Sequence, residues 1–216
     1  RAKLCDKLDE LIVATDDKRI YDVIDSIGGN VMMTRSDHLT GLERMSEVVE
    51  AHGEFDYYVQ INGDEILLNP ESISTSIDTL LKNPWADASI LAVNFSRENS
   101  PGDFKVVFKE NMELMYVSRA DIPANLKTGK KRTFLKAYHL MTFKKQAVID
   151  FKKIGMTYLE SIEDHEHLRL LEKGYKIVGK IVEDDCISLD AASDIDYIAS
   201  KIKDDPTFLR IKETIK

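Results

Sequence analysis

The sequence predicts an α/β fold with a central mixed sheet, and three features of the pattern indicate this class. Apolar runs alternate with amphipathic segments over roughly the first 70 residues, which is typical of βα units. Strand-like runs then dominate residues 104–143, a strand-rich excursion, and helical patterns return in the last third. At 216 residues and 24.6 kDa, the chain is long enough for a single domain, residues 1–216, with a substantial core.

The first part of the chain contains three predicted βα units. A strand signal at residues 11–15 is followed by apolar residues at helical spacing, and Gly28 and Gly29 end that helix. A second strand, residues 31–34, leads through a polar loop into a second helix. A third strand begins at Tyr57. We expect these strands to be parallel and covered on both faces. The apolar positions of the two helices are Ile20, Val23, Ile24 and Ile27, then Leu42, Met45, Val48 and Val49.

The later elements follow from the same periodicities. Pro70 fits the first turn of a helix that continues to Leu81. We expect one helix to run from Leu159 to a stop at Gly174. Further strands are predicted at residues 88–95, 104–109, 114–117, 137–143 and 176–182, and terminal helices at residues 193–203 and 206–215.

Composition limits the partners and the setting. Acidic residues outnumber basic ones by 38 to 30, a formal net charge of -8, which disfavours a nucleic-acid or anionic-membrane binder. No apolar run approaches the roughly 18 residues that span a bilayer. Cys5 and Cys186 are the two cysteines, too few for a disulfide framework. We expect a reduced, soluble, cytoplasmic setting.

Two carboxylates follow the third predicted strand. Residues 57–61 run into the turn Asn62-Gly63-Asp64-Glu65. Ligands of open α/β sheets bind outside the carboxyl ends of the strands, so Asp64 would lie where a phosphate-bound metal could sit. The alternative interpretation is a solvated turn.

The same acidic strand ends also suit a phosphoacceptor receiver domain. Asp16 and Asp17 end the first strand, as Asp64 ends the third. Such a domain needs a lysine after a later strand, usually followed by proline, but Lys105 is followed by Val106. Because about 100 further structured residues would also be unexplained, we disfavour this class.

A polar loop from Thr34 to Arg44 leads into the second helix. Backbone amides at a helix start, with Arg35 and Arg44 nearby, can hold a phosphate or a base edge. The alternative is an ordinary capping loop with solvated arginines.

Seven segments, in order, resemble the 3-deoxy-manno-octulosonate (Kdo) cytidylyltransferases, the CMP-Kdo synthetases of lipopolysaccharide biosynthesis. Residues 34–44, TRSDHLTGLER, are similar to the family's TRxDHxSGTxR. Residues 13–17 and 60–65 resemble its VATDD and NVQGDEP. Residues 104–107, 115–123, 159–174 and 188–190 resemble its VKVV, YFSRAPIP, LExxExLEQLRxLExG and VDTPEDL. The resemblance runs from about Leu11 to Ile202.

The resemblance implies a nucleotide-diphospho-sugar transferase-like (Rossmann-like) fold and a homodimer formed through residues 104–143. It implies transfer of CMP from CTP to Kdo or a modified Kdo such as 8-amino-Kdo, with release of pyrophosphate and Mg²⁺ as the cofactor. Asp64 and Asp190 would be the catalytic metal ligands. The nucleotide would contact Arg35, Thr40, Gly41, Asn62 and Gly63. The acidic sugar would contact Lys105, Arg119, His139, Glu160 and Glu163. Without the resemblance, Arg119 would be a surface ion-pair partner, and Glu160 and Glu163 would lie on a solvated helix face.

Two departures from the family pattern matter. The family's PARxxSxRxPGK loop has no counterpart, so we expect the chain to lack the N-terminal strand and phosphate loop and to be nearly inactive alone. A non-catalytic sugar-nucleotide-binding module is the alternative. Ala137 and His139 stand where the family's HIGIYAY has His and Gly. This exchange moves a ring by about 7 Å along one strand face, from which we hypothesise a modified, amino-substituted Kdo as the preferred substrate.

Two further patterns carry no function in this interpretation. His165 and His167 would point about 200° apart on a helix, so they could not share a metal ion. The basic run Lys130-Lys131-Arg132 is more typical of a solvated turn than of a nucleic-acid site.

Overall fold

The computed structural model of the chain describes residues 1–124, 133–184, 188–189, 191–192 and 194–214. The predicted basic run Lys130-Lys131-Arg132, Cys186 and Asp190 lie outside these residues. The strands are β1 (Val13–Thr15), β2 (Val31–Met33), β3 (Tyr57–Ile61), β4 (Ala88–Phe95), β5 (Lys105–Phe108), β6 (Leu114–Ser118), β7 (Phe134–Lys144) and β8 (Ile177–Val182). After a short 3₁₀ helix (Ala2–Leu4), the α-helices are α1 (Lys18–Ser26), α2 (Gly41–Ala51), α3 (Pro70–Leu81), α4 (Lys145–Ile154), α5 (Tyr158–Glu163), α6 (Leu168–Glu172), α7 (Asp194–Ile202) and α8 (Pro206–Thr214).

The central sheet is mixed, as predicted. Its strand order is β6-β5-β7-β4-β8, and β3 also pairs with β7. Strands β4 and β8 are parallel, whereas β7 is antiparallel to β3, β4 and β5. The expectation that the first three strands form one parallel sheet is wrong. Strands β1 and β2 are parallel in a small sheet of their own, and the long strand β7 returns antiparallel along the edge of β3.

The strand pairing along one edge of β7 is interrupted. Strand β4 pairs along one edge of β7. Strands β5 and β3 share the other edge, where β5 pairs with Leu135 and Lys136 and β3 pairs with residues 140–144. The pairing with β4 shifts by two residues between Ile90 and Leu91, opposite His139 and Leu140. His139 therefore lies between the carboxyl end of β3 and the start of β5. We call this break in the strand pairing the β3–β5 crevice.

The two faces of β7 pack into two different apolar cores. Ala137, Met141 and Phe143 join the larger core, which includes residues of α2, α4 and α6. Tyr138 and Leu140 join a second core with Ile73 and Ile77 of α3. This alternation follows the two-residue period of a strand. None of the described helices is long and apolar enough to cross a membrane.

The single helix expected between Leu159 and Gly174 is wrong. Helix α5 ends at Glu163, and Asp164 adopts a left-handed conformation with φ 52° and ψ 51°. A left-handed residue reverses the helix path, so α6 starts a new helix after a turn at residues 164–167. Helix α4 was not predicted.

Candidate active site

The turn after β3 contains the main predicted metal ligand. The Glu65 N–H donates to Asn62 O at 3.3 Å, and the Leu189 N–H donates to Asp64 O at 3.0 Å. Ser188 Oγ donates to Glu65 Oε1 at 2.8 Å. The segment that precedes Asp190 is therefore bound directly to the Asp64 turn, although Asp190 itself lies outside the described residues.

Asp64 fits a bound cation. Its Oδ1 atom is buried and has no hydrogen-bond partner among the described residues. An unpaired buried carboxylate oxygen costs free energy, and a hard divalent cation is the kind of partner that compensates for it. The assignment of Mg²⁺ to Asp64 and Asp190 stays a prediction.

The predicted nucleotide loop is anchored to the start of α2. Thr40 is the N-cap residue of α2, and its hydroxyl accepts the Glu43 N–H at 3.2 Å. In return, Glu43 Oε2 accepts the Leu39 N–H at 2.9 Å. Thr40 and Glu43 therefore bond amide groups on either side of the N-cap and hold the loop against the first turn of the helix.

Two side chains of α2 brace the rest of this loop. Arg44 donates to Thr34 Oγ1 at 2.5 Å and lies 3.2 Å from an Asp16 carboxylate oxygen. Glu47 accepts the Arg35 N–H at 3.3 Å and bonds to the His38 ring, which lowers the pKa of Glu47. The Arg35 side chain is 56% exposed, and its Nε donates to Asp37 Oδ1 at 3.0 Å, so an anionic ligand there would compete with this carboxylate.

Gly41 lies where three elements meet. Gln60 Nε2 on β3 donates to Glu166 Oε1 at 2.8 Å, and the Leu42 N–H donates to Glu166 Oε2 at 2.7 Å. A Cβ atom on Gly41 would lie 2.7 Å from Gln60 Nε2, closer than such atoms approach. A glycine at this position therefore lets Glu166 join β3 to the start of α2. Glu166 was not among the predicted site residues.

Glu160 has a structural partner. Arg169 is fully buried, and its Nε and Nη2 atoms donate to the two Glu160 oxygens at 2.7 and 2.6 Å. Arg169 Nη1 also donates to Glu43 Oε1 at 3.0 Å. Because Glu160 is only 3% exposed, the alternative of a solvated helix face is wrong. We assign its carboxylate to this buried network and leave it out of the proposed sugar site.

Lys105 is also committed to internal partners. Its side chain is 0% exposed, and its ammonium donates to the carbonyl oxygens of Ser100, Asp103 and Arg119 at 2.7, 2.8 and 2.5 Å. A lysine ammonium has three N–H donors, so this geometry supports a structural role. The predicted sugar contact gains no support from it.

Arg119, Glu163 and His139 do come together near the β3–β5 crevice. The Arg119 guanidinium lies over the Phe104 ring, 4.2 Å from its centroid, and the His139 ring centroid lies 5.7 Å from that of Phe104. Glu163 accepts the Ser118 hydroxyl at 2.8 Å and the Arg119 N–H at 3.1 Å. The Arg119 side chain remains 36% exposed and can meet an anionic substrate at the rim. The alternative interpretation, a surface ion pair, describes only part of the contacts of Arg119. Its guanidinium donates to Asp164 and also to the carbonyl oxygens of Pro101 and Glu163.

The buried residues His165 and His167 were not predicted as site residues, because the predicted helix placed their side chains on opposite sides. They lie in the turn before α6, and their ring centroids are 4.8 Å apart. His165 also lies 4.3 Å from the Phe104 ring centroid. Their only sequence signal is that they occupy the Leu and Gln positions of the segment LExxExLEQLRxLExG.

The comparisons with known proteins cover most of the chain. A family model described as cytidylyltransferase matches residues 1–177. The 3-deoxy-manno-octulosonate cytidylyltransferase of Fusobacterium nucleatum subsp. nucleatum is 36% identical over 200 residues, which cover 91% of this chain and 81% of that protein. The 8-amino-3,8-dideoxy-manno-octulosonate cytidylyltransferase of Shewanella halifaxensis is 32% identical over 201 residues, covering 90% and 82%.

Solved structures agree with these relatives. CMP:2-keto-3-deoxy-manno-octonic acid synthetase complexed with CTP matches with a TM-score of 0.87 at 25% identity, covering 94% of this chain and 84% of that one. The 4-diphosphocytidyl-2C-methyl-D-erythritol synthase of Anaerococcus prevotii matches with a TM-score of 0.62 at 14% identity, covering 93% and 82%. This second likeness shows the fold alone.

The fold is that of the nucleotide-sugar transferases, and the family match makes the chain a nucleotidyltransferase. The chain belongs to the cytidylyltransferase family, and within it to the 3-deoxy-manno-octulosonate cytidylyltransferases.

Proposed function

We propose that this protein transfers CMP from CTP to an eight-carbon acidic sugar of the Kdo type and releases pyrophosphate. The observation that carries the proposal is the match, over 94% of the chain, to a CMP-sugar synthetase structure complexed with CTP. The proposed product is an activated sugar for lipopolysaccharide biosynthesis, and a homodimer formed through residues 104–143 belongs to the same proposal.

The described residues suggest how the substrates are held. The start of α2, with Thr40, Gly41 and Arg35, faces the nucleotide, because helix N-termini and arginines favour phosphate and polar base edges. Asn62 and Gly63 form the turn beside it. Arg119 at the crevice rim would pair with the sugar carboxylate.

The reaction needs positioning and charge neutralisation more than covalent chemistry. The anomeric hydroxyl of the sugar forms a bond to the α-phosphorus of CTP while the bond to pyrophosphate breaks. Asp64, with Asp190 by resemblance, would hold Mg²⁺, which when bound neutralises charge on the phosphates. The fixed loop and turn hold the reacting groups in line.

The test is release of pyrophosphate by the complete protein from CTP and Kdo in the presence of Mg²⁺. Asp64→Asn should lower kcat at least 100-fold, because it removes a ligand that stabilises transition-state charge. Asp6→Asn, on an exposed residue far from this turn in sequence, is the matched control. Near-normal turnover by the Asp64→Asn variant would contradict the proposal, provided that both variants keep the wild-type melting temperature.

A further inference from the structure

We propose that His165 and His167 are specificity-determining residues, which form hydrogen bonds with hydroxyl groups on the exocyclic side chain of the acidic sugar. This inference rests on the proposed function and names the part of the substrate that these residues recognise.

The two histidines are almost completely buried, and three of their four ring nitrogens have no hydrogen-bond partner among the described residues. His165 is 5% exposed and His167 is 6% exposed. His165 Nδ1 and both ring nitrogens of His167 are buried without a hydrogen-bond partner among the described residues. Buried polar atoms in folded proteins are nearly always paired, so three such nitrogens in adjacent rings indicate a ligand that completes them.

The position of the pair fits the sugar. His165 packs on Phe104, the ring that also contacts Arg119 and His139 at the β3–β5 crevice. Glu166, between the two histidines, is bonded to the start of α2, where the nucleotide is proposed to lie. The turn that contains the two histidines therefore contacts both the proposed sugar site, through Phe104, and the proposed nucleotide site, through Glu166.

The chemistry of the pair favours hydroxyl groups. Burial, followed by His167, His139 and Arg119, lowers the pKa of His165 well below its ordinary value, and burial lowers the pKa of His167. A neutral imidazole offers one donor and one acceptor, which matches a hydroxyl group. An anionic group would meet the Glu166 carboxylate, 3.7 Å from His167 Nε2. The sugar carboxylate therefore belongs with Arg119, and the hydroxyls of the exocyclic carbons belong with the histidines.

A substrate-truncation cycle tests this assignment. The complete protein is assayed with Kdo and with the six-carbon 3-deoxy-hexulosonate, whose pyranose ring lacks the two exocyclic carbons. Wild type should prefer Kdo by at least 100-fold in kcat/KM, because its unpaired imidazoles reject a sugar that cannot bond them. The variant His165→Leu/His167→Leu removes all the ring nitrogens and leaves apolar side chains, and its preference should fall at least tenfold while the KM for CTP is unchanged.

The outcomes separate the two proposals. A wild type that releases no pyrophosphate with either sugar would overturn the proposed function and this inference with it. An active double variant that keeps the full preference for Kdo would overturn the histidine assignment alone. His52→Gln, on a half-buried histidine at the end of α2, is the control and should keep the wild-type preference.

A second measurement decides the question if the double variant does not fold. Addition of Kdo to wild type should shift the imidazole ¹⁵N resonances of His165 and His167, whereas the six-carbon sugar should not. Unchanged resonances with saturating Kdo would overturn the assignment.

Discussion

Arg169 shows how much of the site depends on a single buried residue. Its guanidinium is bound by Glu160 of α5 and Glu43 of α2, and it lies over the Phe151 ring at 3.9 Å. Desolvation makes such a network weak evidence for net stabilisation, but removing one partner leaves an uncompensated buried charge. The network therefore holds Glu43 and the start of α2, and with them the loop from Thr34 to Arg44, against α5 and α6.

Glu160→Gln should destabilise the protein by about 3 kcal/mol, because Arg169 would keep only Glu43 as a charged partner. Urea unfolding measures this loss. Glu50→Gln is the control, because Glu50 forms an ion pair with Lys152 and its side chain is 58% exposed. This variant should change stability by less than about 0.5 kcal/mol. A Glu160→Gln variant of normal stability with a raised KM for the sugar would restore the sugar contact predicted from the sequence.

His139 carries the hypothesis of an amino-substituted sugar. The motif comparison suggests exchanging Ala137 and His139, but Ala137 is 1% exposed and a ring there would overpack the core. His139→Gly alone is therefore the cleaner variant. We expect it to lower the ratio of kcat/KM for 8-amino-Kdo over Kdo at least tenfold. An unchanged ratio would remove His139 from the specificity argument.

At the scale of elements, the sequence predicts best where one periodic pattern coincides with one element. Strand β4 and helix α3 begin and end at the residues expected from their apolar period and from Pro70. The helix predicted across Leu159 to Gly174 failed because apolar periodicity continues through Asp164, which adopts a left-handed conformation. Asp tolerates this conformation better than most residues, but its presence alone does not predict the break.

Asp164 can be tested as the residue that separates α5 from α6. Asp164→Asn should keep stability within about 0.5 kcal/mol, because Asn also accepts the left-handed region, whereas Asp164→Val should cost about 1–2 kcal/mol. Both variants lose the ion pair with Arg119, so the difference in stability between them reports the backbone conformation. Equal stabilities of the Asn and Val variants in urea unfolding would show that backbone conformation does not set this break.

At the scale of the whole molecule, the local geometry of the candidate site is predictable where its residues are contiguous. The loop from Thr34 to Arg44 and the turn at Asp64 are short segments whose chemistry is visible in the sequence. The roles of Glu160 and Lys105 were not predictable, because their partners are set by tertiary packing. Arg169 reaches Glu43 across 126 positions of sequence, and no local pattern encodes that contact.

The buried histidines also link the site to the pH dependence of the whole fold. The groups that affect the pKa of His165 are His167, His139 and Arg119, and for His167 they are Glu166, His139 and Glu160. Burial is the largest cause for both, and it favours the neutral ring. The rings therefore bind protons at lower pH in the folded state than in the unfolded chain, where the ordinary histidine pKa is about 6.5.

Stability should consequently be highest above pH 6.5 and fall as the pH drops through 6.5 towards the lower pKa values of the folded state. Between pH 7 and pH 5 the expected loss is about 2 kcal/mol for each histidine that stays neutral. Urea unfolding at pH 7.5, 6.5 and 5.5 measures it in wild type and in His165→Leu/His167→Leu. The variant should lose less stability over this range, since its replacements do not titrate, whereas His52→Gln should follow wild type. Parallel stability curves for wild type and the double variant would show that the buried rings accept protons in the folded state.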